Sequence, residues 1–154
     1  MRKHHWCLSP FSIAASALAL AACAPMSSQQ PFAMEVGCTI PLNDYICTQT
    51  ATASPTKRFV IETVSFSGQA TNGQSVGANF SIATGGTPAF VWLPVQSFGP
   101  SPSAGTGLYV ATFGARLSVD ANSPIRLEAF RNLSTNAGQN TPYQQRLNLM
   151  GYLE

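Results

Sequence analysis

The amino-acid sequence predicts an all-β protein: an antiparallel β-sandwich, jelly-roll or immunoglobulin-like, with a small β-barrel as the alternative. Apolar residues recur at every second position through several separate segments, most clearly from Tyr109 to Val119. A period of two is that of a strand with one buried face. Gly, Pro, Asn and Asp fall between those segments, where they supply the backbone freedom and local hydrogen bonds that turns need. Beyond residue 22 no ten-residue stretch keeps helical spacing. Short strands with frequent turns build sandwiches and small barrels.

The chain opens differently. Arg2, Lys3, His4 and His5 precede an apolar run from Phe11 to Ala22 and a small-residue exit, the order of a secretory signal. The run is shorter than the roughly 20 residues that cross a bilayer as a helix. Its end, Leu20-Ala21-Ala22-Cys23, resembles the lipobox of bacterial lipoprotein signal peptides. The resemblance covers only this N-terminal stretch. It implies cleavage before Cys23, acylation of the Cys23 thiol and amine, and a membrane anchor in which each buried CH₂ contributes about 0.8 kcal/mol. Ala24 is not the aspartate that retains many such proteins at the inner membrane, so the resemblance also implies the outer membrane, on its periplasmic or surface face. Ordinary cleavage, giving a soluble secreted or periplasmic protein, is the alternative. Ala19-Leu20-Ala21 and Ala22-Cys23-Ala24 both offer small-x-small sites, and Pro25 directly after the second disfavours it. On this reading residues 1–22 are the signal, 23–31 a lipidated tether rich in Pro, Met, Ser and Gln, and 32–154 one domain.

Removing the signal changes the charge balance. The whole chain has eight Lys and Arg, six Asp and Glu, and a formal charge of +2. Arg2 and Lys3 leave with the signal, so the remainder is formally neutral. No basic stripe is left to collect phosphates, and nucleic-acid binding is not expected. His4 and His5 leave too, which removes Ser-His-Asp, Cys-His and His-based zinc chemistry from residues 23–154.

Of the four cysteines, Cys7 goes with the signal and Cys23 takes the lipid. Cys38 and Cys47 remain, in a compartment that permits disulfides. A metal pair would lack further Cys or His ligands, so a disulfide is expected, in preference to two free thiols. Closing so short a loop contributes about 2–3 kcal/mol.

Along the domain, Val36 and Ile40 flank Cys38 as a short strand candidate, and Asn43-Asp44 suggests a turn. Thr48 to Thr56 reads as loop. In Phe59 to Ser67 the apolar parity switches from Phe59 and Ile61 to Val64 and Phe66. Either a bulge near Glu62-Thr63 or a strand buried on both faces produces that switch. Gly68 to Gly73 supplies turn residues, with Asn72-Gly73 the sharpest signal. Ala78, Phe80 and Ile82 mark a half-buried strand. Ala89 to Val95 marks another, demoted towards an edge by Pro94. Gln96 to Gly107 reads as a long exposed loop. Tyr109 to Val119 is a long strand with a bend expected at Gly114, Ile125 to Phe130 a further strand, and Leu147 to Leu153 the last. Pro55 to Ser65 and Gly151-Tyr152-Leu153 loosely resemble small secreted bacterial β-sandwich proteins of uncharacterised function. That likeness implies the fold and no chemistry.

Candidate catalytic groups are sparse. Lys57 is the one lysine outside the signal and has no serine motif around it. Glu62, Asp120 and Glu128 offer carboxylates for a glycosidase-type pair, yet turn and strand-surface roles account for each. Asp120-Ala121-Asn122 supplies two residues of a calcium loop without its third ligand or its glycine. The expectation is therefore no enzyme, no metal and no cofactor. The one feature pointing to function is aromatic: with Val91 and Leu93 facing the core, Phe90 and Trp92 face outward on the same strand. Such a pair can dock an envelope protein or stack on sugar rings. The expected function is a non-enzymatic cell-envelope lipoprotein that presents a binding sandwich, with a surface carbohydrate-binding module as the alternative.

Overall fold

Nine strands and no helix make up the described part of the chain. The structure, a computed structural model, describes residues 29–41, 44–71, 73–100, 105–132 and 142–154. The expected signal, Cys23 and most of the expected tether lie outside the described residues. The strands are β1 (Gln30–Ile40), β2 (Ile46–Thr52), β3 (Phe59–Thr71), β4 (Val76–Thr84), β5 (Thr87–Trp92), β6 (Gln96–Pro100), β7 (Thr106–Val119), β8 (Pro124–Arg131) and β9 (Tyr143–Leu153).

They form two antiparallel sheets, β1-β9-β3-β7-β6 and β2-β8-β4-β5. Setting β6 aside, β1 pairs with β9, β2 with β8, β3 with β7 and β4 with β5. The chain is thus one long hairpin folded over on itself, which is the jelly-roll arrangement. No ladder joins β1 to β2 or β5 to β6, so the sheets stay separate and the closed barrel is not formed. Between them lie Phe59, Ile61, Phe66, Phe80, Ile125, Leu127, Leu147 and Leu149, all fully buried.

The parity switch in β3 is a bulge. Ile61 pairs with Leu117 and Gly151, whereas Thr63 pairs with Gly114 and Met150. The extra residue, Glu62, turns outward, so Phe59 and Ile61 before it and Val64 and Phe66 after it all reach the core. Opposite the bulge, Gly151 lies so close to β3 that an added Cβ would overlap the Val60 carbonyl oxygen and stand 3.1 Å from the Glu62 amide.

Several segments differ from expectation. β1 is a full strand beginning at Gln30, inside the segment assigned to the tether, with Phe32, Met34 and Val36 turned inward. Thr48 to Thr52, expected as loop, belongs to strand β2. It borders the second sheet, so Cys47 and Ala51 suffice for its inner side and its threonines stay in solvent. β3 continues through Gly68 to Thr71, paired with Tyr109 to Thr106 of β7, and Gln145 occupies the space a side chain at Gly68 would need. Gln96 to Pro100 is also strand, pairing with β7 across a register shift between Ser97 and Gly99.

The Cys38–Cys47 disulfide closes the β1–β2 side, with Cα atoms 5.9 Å apart. It ties one sheet to the other where no backbone ladder does. Reducing it, or replacing both cysteines by serine, should lower unfolding free energy by about 2–3 kcal/mol. A urea titration with and without reductant measures this; an unchanged midpoint would contradict it.

At the end of the sandwich marked by Thr71 of β3, Arg131 of β8 and Tyr143 of β9, polar groups enter the interior. Arg131 is 2% exposed. Its Nε donates to the Asp44 carbonyl and an Nη to the Pro41 carbonyl, both at 3.1 Å, and its guanidinium lies over the Tyr143 ring at 5.4 Å. Tyr143 shares a hydrogen bond of 3.1 Å with Thr71, and the Gln145 amide donates to the Gln69 carbonyl at 2.8 Å.

Candidate functional site

The aromatic strand is set up by a two-residue hairpin. Gly85 and Gly86 both take positive φ, 58° and 74°, as the turn twisting with its strands requires and as only glycine adopts freely. The Asp120 carboxylate accepts the Gly86 amide at 3.0 Å, so the 120–123 turn braces this hairpin. Asn122 also has positive φ, 60°, and its amide donates to the Ser54 carbonyl at 2.8 Å. Hydrogen bonds from the Gly86 and Gly85 amides, with the positive Arg58 adding, hold the Asp120 carboxyl below its ordinary value. A depressed folded value means that the stabilisation is complete above the ordinary aspartate range, about 3.9, and is lost as pH falls through the folded value. Asp120→Asn should therefore lower the urea midpoint near pH 7, and the gap from the parent should close on acidification. A gap constant down to pH 2 would contradict the assignment.

β5 is the outer strand of the second sheet. Phe90 is 70% exposed and Trp92 67%, while Leu93, at the turn of the chain towards β6, is 7% exposed. The Leu93 amide donates to the Ala78 carbonyl at 3.0 Å, pinning the end of β5 against β4. Register carries the face across the sheet in two rows. One runs Trp92, Asn79, Glu128, Thr48 and the other Phe90, Ser81, Arg126, Thr50. Arg126 and Glu128 meet each other at 3.7 Å.

A third aromatic completes the strip. Phe130 pairs with Gly77 of β4, and its ring lies over that glycine, where a Cβ would strike it. Leaning across β4 in this way, Phe130 meets Trp92 edge to face, with centroids 6.1 Å apart and planes at 76°. The indole is therefore braced on one side and open on the rest. The sequence marks Phe130 only as the end of a strand; the pairing of β4 between β5 and β8 brings it to Trp92. Phe98 on β6, 74% exposed, was missed because its segment read as loop.

The carboxylates do not converge. Glu62 projects from the bulge of the first sheet, Glu128 pairs on the second, and Asp120 sits in a turn at one end. Lys57 donates to the Gln30 side chain at 3.2 Å. Among the described residues no three His, Cys, Asp or Glu side chains are placed to hold a metal. A groove of about 520 Å³ runs over the disulfide and is lined by Glu35, Thr48, Gln49, Gln144 and Arg146. Glu35 and Arg146 lie 3.8 Å apart there, and both cysteine sulfurs are in the bridge. No family model matches the chain, and no curated protein or solved structure is significantly similar to it.

Proposed function

We propose that this protein is a non-enzymatic, lipid-anchored module of the bacterial cell envelope whose contact surface is the outer face of the second sheet. The observation that carries the reading is the pair Phe90 and Trp92, 70% and 67% exposed on one side of β5. Exposed large apolar side chains grouped on one face mark a binding surface. The lipobox-like Leu20-Ala21-Ala22-Cys23 supports the anchor, and the separation of Glu62, Asp120 and Glu128 supports a role without catalysis.

The test uses the protein in its native envelope. A photo-crosslinking phenylalanine analogue at position 90 should give an adduct, whereas the same group at Thr112, exposed on the other sheet, should not. Cys23→Ser should release the protein from the membrane fraction or block its processing. Equal labelling from both positions, or no labelling from either, would remove the face from consideration; an intact mass without acyl groups would remove the anchor. Trp92→Ala should cost less than about 1.5 kcal/mol, against roughly 3–5 for a core tryptophan.

A further inference from the structure

We infer that the outer face of the second sheet takes a neutral oligosaccharide, stacking its sugar rings on Trp92 and Phe90. This rests on the same face being the contact surface and adds what fills it. The shape of the apolar region argues first. Trp92 and Phe90 are two positions apart on one strand, about 6.6–6.8 Å along it, and form a narrow strip at the sheet border, with Phe130 of β8 leaning across β4 against Trp92. Directly inward of that strip the rows become polar: Ser81, Arg126 and Thr50 beside Phe90, and Glu128 and Thr48 beyond Trp92. A protein interface of ordinary size places its apolar residues centrally within a polar rim, across about 800 Å² per partner. Here the arrangement is lateral, an aromatic strip along one side and a hydrogen-bonding ladder along the other. A pyranose matches it, with C–H groups across its ring face to meet the electron-rich aromatic face and hydroxyls around its rim to meet the ladder.

Charge argues second. The two charged side chains of these rows, Arg126 and Glu128, face each other at 3.7 Å, and neither row adds another. The face therefore offers no net charge to an anionic glycan or a charged peptide, and complements a neutral one. Rigidity argues third. Gly77 leaves the gap in which Phe130 lies, and Phe130 braces the indole. Holding a ring in its bound orientation before the ligand arrives removes part of the ordering cost of binding. Gly77 is thus a positioning residue.

Trp92 is one of two tryptophans, and the other, Trp6, lies in the expected signal, so intrinsic fluorescence of the mature lipoprotein in detergent reads this site alone. Titration with cellohexaose, maltohexaose and hexa-N-acetylchitohexaose should give a saturable blue shift with at least one of them and none with hexagalacturonate. Phe90→Ala should weaken that binding at least tenfold. Gly77→Ala should weaken it several-fold and red-shift the free protein while leaving the urea midpoint in place. Phe130→Ala should add little to Gly77→Ala, since both remove the same brace. No saturable response to any neutral hexasaccharide, an equal response to the anionic one, or full affinity in Phe90→Ala would each overturn the inference. A position-90 adduct to protein without sugar binding would leave the contact surface standing and remove only the sugar; no adduct and no sugar binding would remove both.

Discussion

Gly151→Ala is expected to cost about 3 kcal/mol, the upper range for forcing extra volume into a packed interior, and Gly151→Val to leave no cooperative unfolding transition. The reason is what the added carbon meets. It would overlap the Val60 carbonyl oxygen and lie 2.9 Å from that carbonyl carbon. These are backbone atoms of the central strand of the first sheet, held on both sides by β7 and β9, and no side-chain rotation makes room for them. Total stability of a domain is about 5–15 kcal/mol, so one methyl group consumes a large share. Gly114 is the control. It lies across the same bulge, yet the nearest atom to an added Cβ there is the Glu62 oxygen at 3.9 Å. Gly114→Ala should be neutral or slightly stabilising, because alanine loses less backbone freedom on folding. Urea midpoints of the two variants should move in different directions; a Gly151→Ala midpoint equal to the parent's would show that the bulge yields.

Arg131→Lys is expected to cost about 2–3 kcal/mol, the scale for hydrogen bonds made by a charged group in a buried setting. The guanidinium serves the Asp44 and Pro41 carbonyls from two separate nitrogens while its carbon lies over the Tyr143 ring. A lysine ammonium is a single point on a flexible stem, unable to reproduce the fork or the stacking. Arg131→Met should lose as much: it relieves the buried charge but leaves those carbonyls short of donors. The loss should fall on the approach to β2, which the Arg131 amide also fixes through the Tyr45 carbonyl at 2.8 Å. Hydrogen exchange at residues 44–47 should rise in both variants. Unchanged midpoints together with unchanged exchange would contradict the assignment.

The strands legible from sequence were those with a whole side to bury. Tyr109 to Val119 alternates through most of its length, and Phe59 to Phe66 even displayed its bulge as a change of parity. The strands that escaped notice are bordering ones. β2 needs only Cys47 and Ala51 inside, and β6 has no buried residue at all, so neither carries a period that could be read. Gly68 looked like a turn because its lack of a side chain suits one. The space beside it is filled by Gln145, a residue distant in sequence, and no local pattern contains that. The outward aim of Phe90 and Trp92 followed from parity alone. The place of Phe130 beside Trp92 did not, since it depends on which strand separates β5 from β8.

The pairing of β1 with β9 has a consequence for the order of events in folding. β9 lies between β1 and β3, and its partners run from Gln30 opposite Leu153 to Ile40 opposite Tyr143. Until residues 143–153 have been synthesised, β1 has no neighbour in its own sheet and β3 is bare along one side. Contacts that join the two ends of a chain are slow to form, and folds dominated by them take milliseconds to seconds. A growing chain of this protein therefore has all four strands of its second sheet, and the β3-β7-β6 part of the first, before β9 exists. The first sheet is completed late, when a single strand inserts between β1 and β3.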